Sequence, residues 1–136
     1  MSANAELLLA GFDAWNHDDC DGWLKLLAPG IEVQTAGVFP DLADVYRGHE
    51  GAARFWGQLR EPWEVFRIDV ERVEAEGDLA MAAVRFRATG VDSGVEVDMR
   101  FGNAIRVRDG LATVLLNRRT LEEARDALLE SQPATP

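Results

Sequence analysis

The chain has 136 residues, 47% of them hydrophobic and 28% charged, which is typical of one soluble globular domain. Its net charge of −10 repels phosphate backbones and anionic lipids, so neither nucleic acid nor a membrane surface is an expected partner. The single cysteine, Cys20, excludes an internal disulfide and multi-cysteine zinc motifs. We therefore expect one domain over residues 1–136 in the cytoplasm, with an ordered core from about residue 4 to about residue 130.

The N-terminal part of the chain predicts two helices. Leu8, Phe12 and Trp15 follow helical spacing and indicate a helix over about residues 4–16, which Ser2 or Asn4 can cap. Its apolar run has no basic residues ahead of it and is broken by polar residues, so we expect no signal peptide or membrane span. The segment "DCDGWLKLLAPG" predicts a second short helix that begins on aspartates and stops at Pro29-Gly30.

Two strands and a third helix follow. "IEVQT" alternates apolar and polar residues, so it predicts a half-buried strand with Thr35 pointing inward. A short strand "DVYR" comes next. In "HEGAARFWGQL" the positions of Ala52, Phe55, Trp56 and Leu59 share one helical face, which predicts a helix that ends before Pro62.

From Val65 onward the apolar period becomes two, as in antiparallel strands joined by turns. The turn Asp109-Gly110 is a strong hairpin signal and leads into the strand "LATVLLNR". Thr120 and Glu123 form a capping-box pattern at the start of a last helix, and "SQPATP" is expected to be frayed. This order predicts an α+β fold, a curved antiparallel sheet wrapped around the N-terminal helices with a conical cavity at one end.

The whole chain from about residue 6 to about residue 130 resembles the nuclear transport factor 2-like superfamily, in particular its SnoaL-like and ketosteroid-isomerase-like members. The resemblance is carried by "FDAWNHDDCDGWLKLLAPGIEVQT", "YRGHEGAARFW" and "IRVRDGLATVLLNRRTLEEA". It implies the cystatin-like cone fold and a cofactor-independent site. It does not decide the activity, because these relatives include isomerases, cyclases, other lyases and non-catalytic binding modules.

The resemblance also assigns positions in the site. A ketosteroid-isomerase site uses a carboxylate base, a tyrosine and a protonated aspartate in an apolar pocket. These positions fall on Thr35, Gly11 and Asn103 or its neighbourhood. Thr35 cannot accept a proton at neutral pH, so proton abstraction in that geometry is not expected. Asn103 shares strand parity with apolar residues, and we weigh satisfaction by backbone or water near a Gly102 bulge against contact with a ligand.

Two further residues are weak catalytic candidates. His49 follows Gly48 and begins the third helix, so it is first a helix start and only second an acid-base candidate. Asp98 has the strand parity of charged neighbours, which predicts an ion pair with Arg85 or Arg87 on the outer sheet face. Around Cys20, His17 with Asp18, Asp19 and Asp21 suits a solvated loop and helix cap rather than a metal site.

The aromatic residues predict the ligand. Trp15, Phe39, Trp56 and Trp63 lie on segments that would surround the cavity mouth, and with Thr35 and Asn103 they are the predicted ligand-binding residues. The expected ligand is a small apolar ring compound, bound without metal or cofactor. The protein is then an isomerase, cyclase or other lyase, or else a non-catalytic ligand-binding or protein-interaction module of the same fold.

Charged side chains are interleaved on the sheet face opposite the apolar residues, and the simplest account is a face exposed to solvent. Its arginines are Arg67, Arg85, Arg87, Arg100 and Arg106. The resemblance implies that such faces pair, so we expect a homodimer through this face.

Overall fold

The computed structural model describes residues 2–39 and 41–130. The elements in chain order are α1 Ala3–Asn16, α2 Cys20–Leu24, β1 Leu27–Gln34, β2 Val45–Arg47, α3 Gly48–Arg60, β3 Trp63–Glu76, β4 Leu79–Gly90, β5 Glu96–Arg108, β6 Leu111–Arg118 and α4 Leu121–Glu130. The strands form one six-stranded sheet in the order β2-β1-β6-β5-β4-β3. The α+β prediction is confirmed, while the expected fraying of "SQPATP" concerns residues outside the described part of the chain.

Helices α1 and α3 lie on the concave face of the sheet and bury the main core against it. The Ser2 hydroxyl accepts a hydrogen bond from the Ala5 amide at 3.1 Å and so caps α1, as the sequence predicts. The predicted face of α3 is also confirmed, since all four of its apolar residues are buried. These two helices hold the inner surface on which a ligand cavity can form.

Helix α4 packs on the opposite face of the sheet, where Leu121, Ala124 and Leu128 form a second, smaller core. Glycine is required beneath this helix, because a Cβ on Gly102 would stand 2.1 Å from the backbone of Thr120. Gly102 lies in regular pairing with β4, so the bulge expected there is wrong. The helix also buries Arg106, which the sequence placed on a solvated face.

The predicted second helix is too long. The chain leaves the helix after Leu24, and β1 begins at Leu27, so Pro29-Gly30 lie inside a strand. The reason is tertiary: Leu27 pairs with Ala112 in a parallel register, and the Ala112 amide donates to the Leu26 carbonyl at 2.9 Å. The sheet is therefore antiparallel except between β1 and β6.

The β5–β6 hairpin is confirmed at Asp109-Gly110, where both residues have positive φ. Thr113 is an extra residue in β6, because Arg106 pairs with Val114 while Val107 pairs with Ala112. Beyond this bulge the residues opposite each other are Asn103 and Asn117. Among the residues that the structure describes, no helix is long and apolar enough to cross a membrane.

Candidate ligand-binding site

An inner cavity of about 40 Å³ lies between α1, α3 and the concave face of the sheet. Its apolar wall includes Leu8, Phe12, Trp15, Trp23, Phe55 and Phe101. Two amides, Asn103 and Asn117, are polar members of that wall. The volume is sufficient for a small polar group such as a hydroxyl or a water, and too small for a ring compound.

A larger groove of about 210 Å³ lies beside the inner cavity. Its lining is mostly apolar and includes Val38, Leu42, Trp63, Phe86, Val97 and Met99. Phe39 and Leu59 line both the groove and the inner cavity. These two side chains therefore form the wall that the two compartments share.

The Phe39 ring is held in this wall by aromatic neighbours. Its centroid lies 5.5 Å from that of Phe101 and 6.3 Å from that of Phe55, the former in an edge-to-face arrangement. It is 8% exposed, although it comes from the irregular segment between β1 and β2. One of the two side chains that separate the groove from the inner cavity thus comes from a connecting segment.

Thr35 holds the two ends of the segment between β1 and β2 together and does not line the cavity. Its hydroxyl donates to the Ala43 carbonyl at 2.7 Å, and its backbone amide donates to the Asp44 carbonyl at 2.9 Å. Thr35 points inward and is fully buried, as predicted, but it is absent from the lining of the inner cavity and of the groove. Its hydroxyl already has a partner, so its structural role is to close the loop.

The cavity amides are joined in a chain of hydrogen bonds. Asn117 Nδ2 donates to the Gln34 carbonyl at 3.1 Å, and Asn103 Nδ2 donates to Asn117 Oδ1 at 2.8 Å. Asn103 is 4% exposed, and its Oδ1 has no hydrogen-bond partner among the described residues. The inward direction predicted for Asn103 is confirmed, while Asn117 was missed.

Trp23 is a second cavity residue that the sequence did not reveal. At Gly11, where the resemblance would place a tyrosine, there is no side chain, and a Cβ would stand 3.7 Å from Trp23 Cδ1. The Trp23 indole is 2% exposed and lines the cavity together with Gly11. The space of a side chain at position 11 is therefore partly taken by an indole from α2.

The other predicted tryptophans have different positions. Trp15 lines the inner cavity, and Trp63 lines the groove. Trp56 stacks on Trp15 with ring centroids 3.9 Å apart, and it lines neither compartment. Trp56 supports the wall from behind instead of facing a ligand.

The two weak catalytic candidates lie away from both compartments. His49 is the second residue of α3, after Gly48, whose φ is +71°, and its Nε2 donates to the Leu27 carbonyl at 2.9 Å. Asp98 lies on the outer face, where it accepts from Arg85 Nε at 2.8 Å. This hydrogen bond holds the pKa of the Asp98 carboxyl below its usual range.

The loop around Cys20 carries no activated thiol. Burial raises the pKa of Cys20, and the carboxylates of Asp21, Asp18 and Asp19 raise it further. Asp19 accepts from the Gly22 amide at 2.9 Å and so caps α2. The thiol is thus disfavoured as a nucleophile.

The fold and cavity define an α+β cone of the nuclear transport factor 2-like superfamily. The model of the SnoaL-like domain matches residues 8–115, and the chain belongs to this family. Among curated proteins, no relative matches the chain.

Solved structures share the fold at low identity. TerC co-crystallised with polyporic acid is 22% identical with a TM-score of 0.77, and the match covers 96% of this chain and 100% of that one. A putative SnoaL-like polyketide cyclase from Jannaschia sp. CCS1 is 22% identical with a TM-score of 0.75, covering 98% and 94%. A protein with a ketosteroid isomerase-like fold from Catenulispora acidiphila, in complex with trimethylamine, is 13% identical with a TM-score of 0.74, covering 85% and 86%.

Proposed function

We propose that this protein binds a small apolar ring compound in the groove, with one polar substituent of the ligand passing Phe39 into the inner cavity. The shared wall of Phe39 and Leu59 is the observation that carries the proposal. The groove offers apolar surface for a ring, and the inner cavity offers polar groups at Asn103 and Asn117. Apolar pockets with a few placed polar groups are typical of small-molecule sites.

The chemistry of the walls favours binding over proton-transfer catalysis. The described residues that line the inner cavity carry no carboxylate, imidazole, thiol or amine. A proton abstraction there would have no base, since neither an amide nor an indole accepts a proton near neutral pH. We therefore place non-catalytic ligand binding first.

Isomerase, cyclase or lyase activity is the second candidate, because one carboxylate, that of Asp41, lies on the groove lining. If the protein is an enzyme, Asp41 is the group within reach of a ring in the groove. Asp41→Asn would then abolish turnover of a bound compound while leaving its affinity within about twofold. Turnover that survives this substitution would remove Asp41 as the base.

Two matched glycine variants test the binding proposal. Gly11→Ala adds a methyl group to the cavity wall at an ordinary contact distance of 3.7 Å from Trp23, and Gly57→Ala adds one to α3 where nothing lies within 4 Å. Both replace a helical glycine, so both should stabilise the fold by about 0.5–1 kcal/mol. The measurement is a thermal-shift screen with apolar ring compounds, followed by titration of the hits.

Only Gly11→Ala should weaken the hits, by about threefold or more, because only that methyl group narrows the inner cavity. Equal affinities of the two variants would mean that ligands do not reach the inner cavity. No hit at all would favour a protein-interaction module whose cavity is filled by its own side chains.

The homodimer through the outer sheet face and the cytoplasmic location stay predictions. The charges of that face already pair within the chain, as in Arg85 with Asp98 and Arg100 with Glu71. A dimer through this face would bring the paired charges of two chains together, so its dissociation constant should depend on the salt concentration. Sedimentation at low and high ionic strength tests it.

A further inference from the structure

The amide chain in the inner cavity fixes which atom Asn103 offers to a ligand. The chain begins at the Gln34 carbonyl, a group that can only accept hydrogen bonds. Asn117 must therefore direct its NH₂ group towards Gln34, at 3.1 Å. Its Oδ1 is then the atom left for Asn103.

The orientation of the Asn117 amide also determines that of Asn103. Because Asn117 directs an oxygen towards Asn103, Asn103 must direct its NH₂ group back, and the two atoms lie 2.8 Å apart. An amide group that turned over would bring two oxygens together at one end of the chain. The remaining atom of Asn103, Oδ1, is buried and has no partner among the described residues.

We infer that Asn103 Oδ1 selects ligands whose inner substituent donates a hydrogen bond, a hydroxyl or an N–H group on the ring compound. This inference rests on the proposed function and adds the polarity of the ligand. A buried acceptor without a partner lowers the stability of the protein, and a hydrogen bond from a ligand donor removes that penalty. A ligand carbonyl would instead place its oxygen against Asn103 Oδ1, and the two oxygens repel.

The polarity is opposite to that implied by the sequence resemblance. A protonated aspartate in an apolar pocket donates to a ligand oxygen and so stabilises an enolate. Asn103 presents an acceptor instead, because its Nδ2 already donates to Asn117 while its Oδ1 is the buried atom without a partner among the described residues. The protonated aspartate of the resembled site would donate a hydrogen bond to the ligand, whereas Asn103 accepts one from it.

The test compares 1-indanol with 1-indanone, two ring compounds of one skeleton in which a hydroxyl donor replaces a carbonyl. Isothermal titration of the wild-type protein should give about tenfold tighter binding of the alcohol, as expected for one well-made hydrogen bond. Asn103→Leu should remove that preference by weakening the alcohol while the ketone changes less than about twofold. Asn117→Leu frees the Asn103 amide to turn over, so this variant should bind the alcohol and the ketone about equally.

Each result has a distinct meaning. Equal binding of the two compounds to the wild-type protein, or tighter binding of the ketone, would overturn this inference and leave the proposed function intact. Failure of both compounds and of the parent hydrocarbon indane to bind would overturn both. The wild-type comparison needs no variant, so the inference stays testable even if an asparagine variant does not fold.

Discussion

The side-chain amide of Asn16 pairs with both backbone groups of Ile68. Asn16 Nδ2 donates to the Ile68 carbonyl at 2.8 Å, and Asn16 Oδ1 accepts from the Ile68 amide at 2.7 Å. Strand β3 is at the edge of the sheet, so these backbone groups would otherwise be open to another strand. Asn16, the last residue of α1, thus connects that helix to β3 and occupies backbone groups of the sheet edge that another strand could otherwise pair with.

Asn16→Ala should therefore lower the free energy of unfolding by about 1–3 kcal/mol, because it leaves two part-buried backbone groups unpaired. Asn4→Ala is the matched control, since Asn4 makes one exposed hydrogen bond, to the Gly77 carbonyl at 3.2 Å. Its cost should stay within about 0.5 kcal/mol. Urea denaturation of both variants measures the difference, and equal costs would contradict the account of the edge.

Gly102→Ala should detach α4 from the sheet. The added Cβ would stand 2.1 Å from backbone atoms of Thr120 and 2.4 Å from the Leu121 nitrogen, and backbone atoms cannot move aside as the end of a flexible side chain can. We expect a loss of about 3 kcal/mol in the free energy of unfolding. Gly30→Ala, also in a strand but with nothing within 4 Å of its Cβ, should cost less than about 1 kcal/mol. A Gly102→Ala protein as stable as Gly30→Ala would refute this packing.

Ion pairs on the outer face should act on acid stability. The hydrogen bond from Arg85 lowers the pKa of Asp98, and those from Arg67 and Arg87 lower the pKa of Asp69. A lowered folded-state pKa contributes stability above the ordinary value of 3.8, and that stability is lost as the pH falls through the folded-state value. Asp98→Asn and Asp69→Asn should thus reduce the difference in urea midpoint between pH 7 and about pH 3.

Both effects should shrink in high salt, because these side chains are exposed or half-exposed. Asp92→Asn, in the turn between β4 and β5, removes one negative charge without removing either of these ion pairs and is the control for the change in net charge. A pH dependence that the two ion-pair variants do not alter would assign acid unfolding to other carboxyls.

His49 should behave as a structural residue. His49→Gln can still donate to the Leu27 carbonyl, whereas His49→Ala cannot, so we expect the alanine variant alone to lose about 0.5–1 kcal/mol of stability. Both variants should bind 1-indanol within about twofold of the wild type, because His49 lines neither the inner cavity nor the groove. A tenfold loss of binding or turnover in His49→Gln would restore it as a site residue.

Strand parity was enough to predict the direction of Asn103 and Asp98, because β4 and β5 pair without interruption over this region. It was not enough for Asn117. The turn Asp109-Gly110 without a bulge would place Leu116 opposite Asn103, and the extra residue Thr113 moves Asn117 there instead. A bulge of this kind depends on tertiary pairing and leaves little trace in a periodic pattern.

The other differences have similar causes. The second helix was predicted from propensity and capping, but the parallel partner Ala112 draws Leu27 into the sheet. Thr35 was placed on the correct face, yet its hydroxyl is taken by the Ala43 carbonyl, a contact made by the loop and invisible to alternation. Trp23 enters the cavity because Gly11, from another helix, leaves it room.

The central claim is that a ring compound in the groove reaches past Phe39 to Asn103. Its most direct test is an NMR titration with 1-indanol that follows the side-chain amides of Asn103 and Asn117 and the indole N–H groups of Trp15, Trp23 and Trp63. The account predicts that the cavity amides and Trp15 shift together with Trp63 of the groove, in one saturable transition. A transition in which Trp63 shifts while Asn103, Asn117 and Trp15 stay unchanged would contradict it.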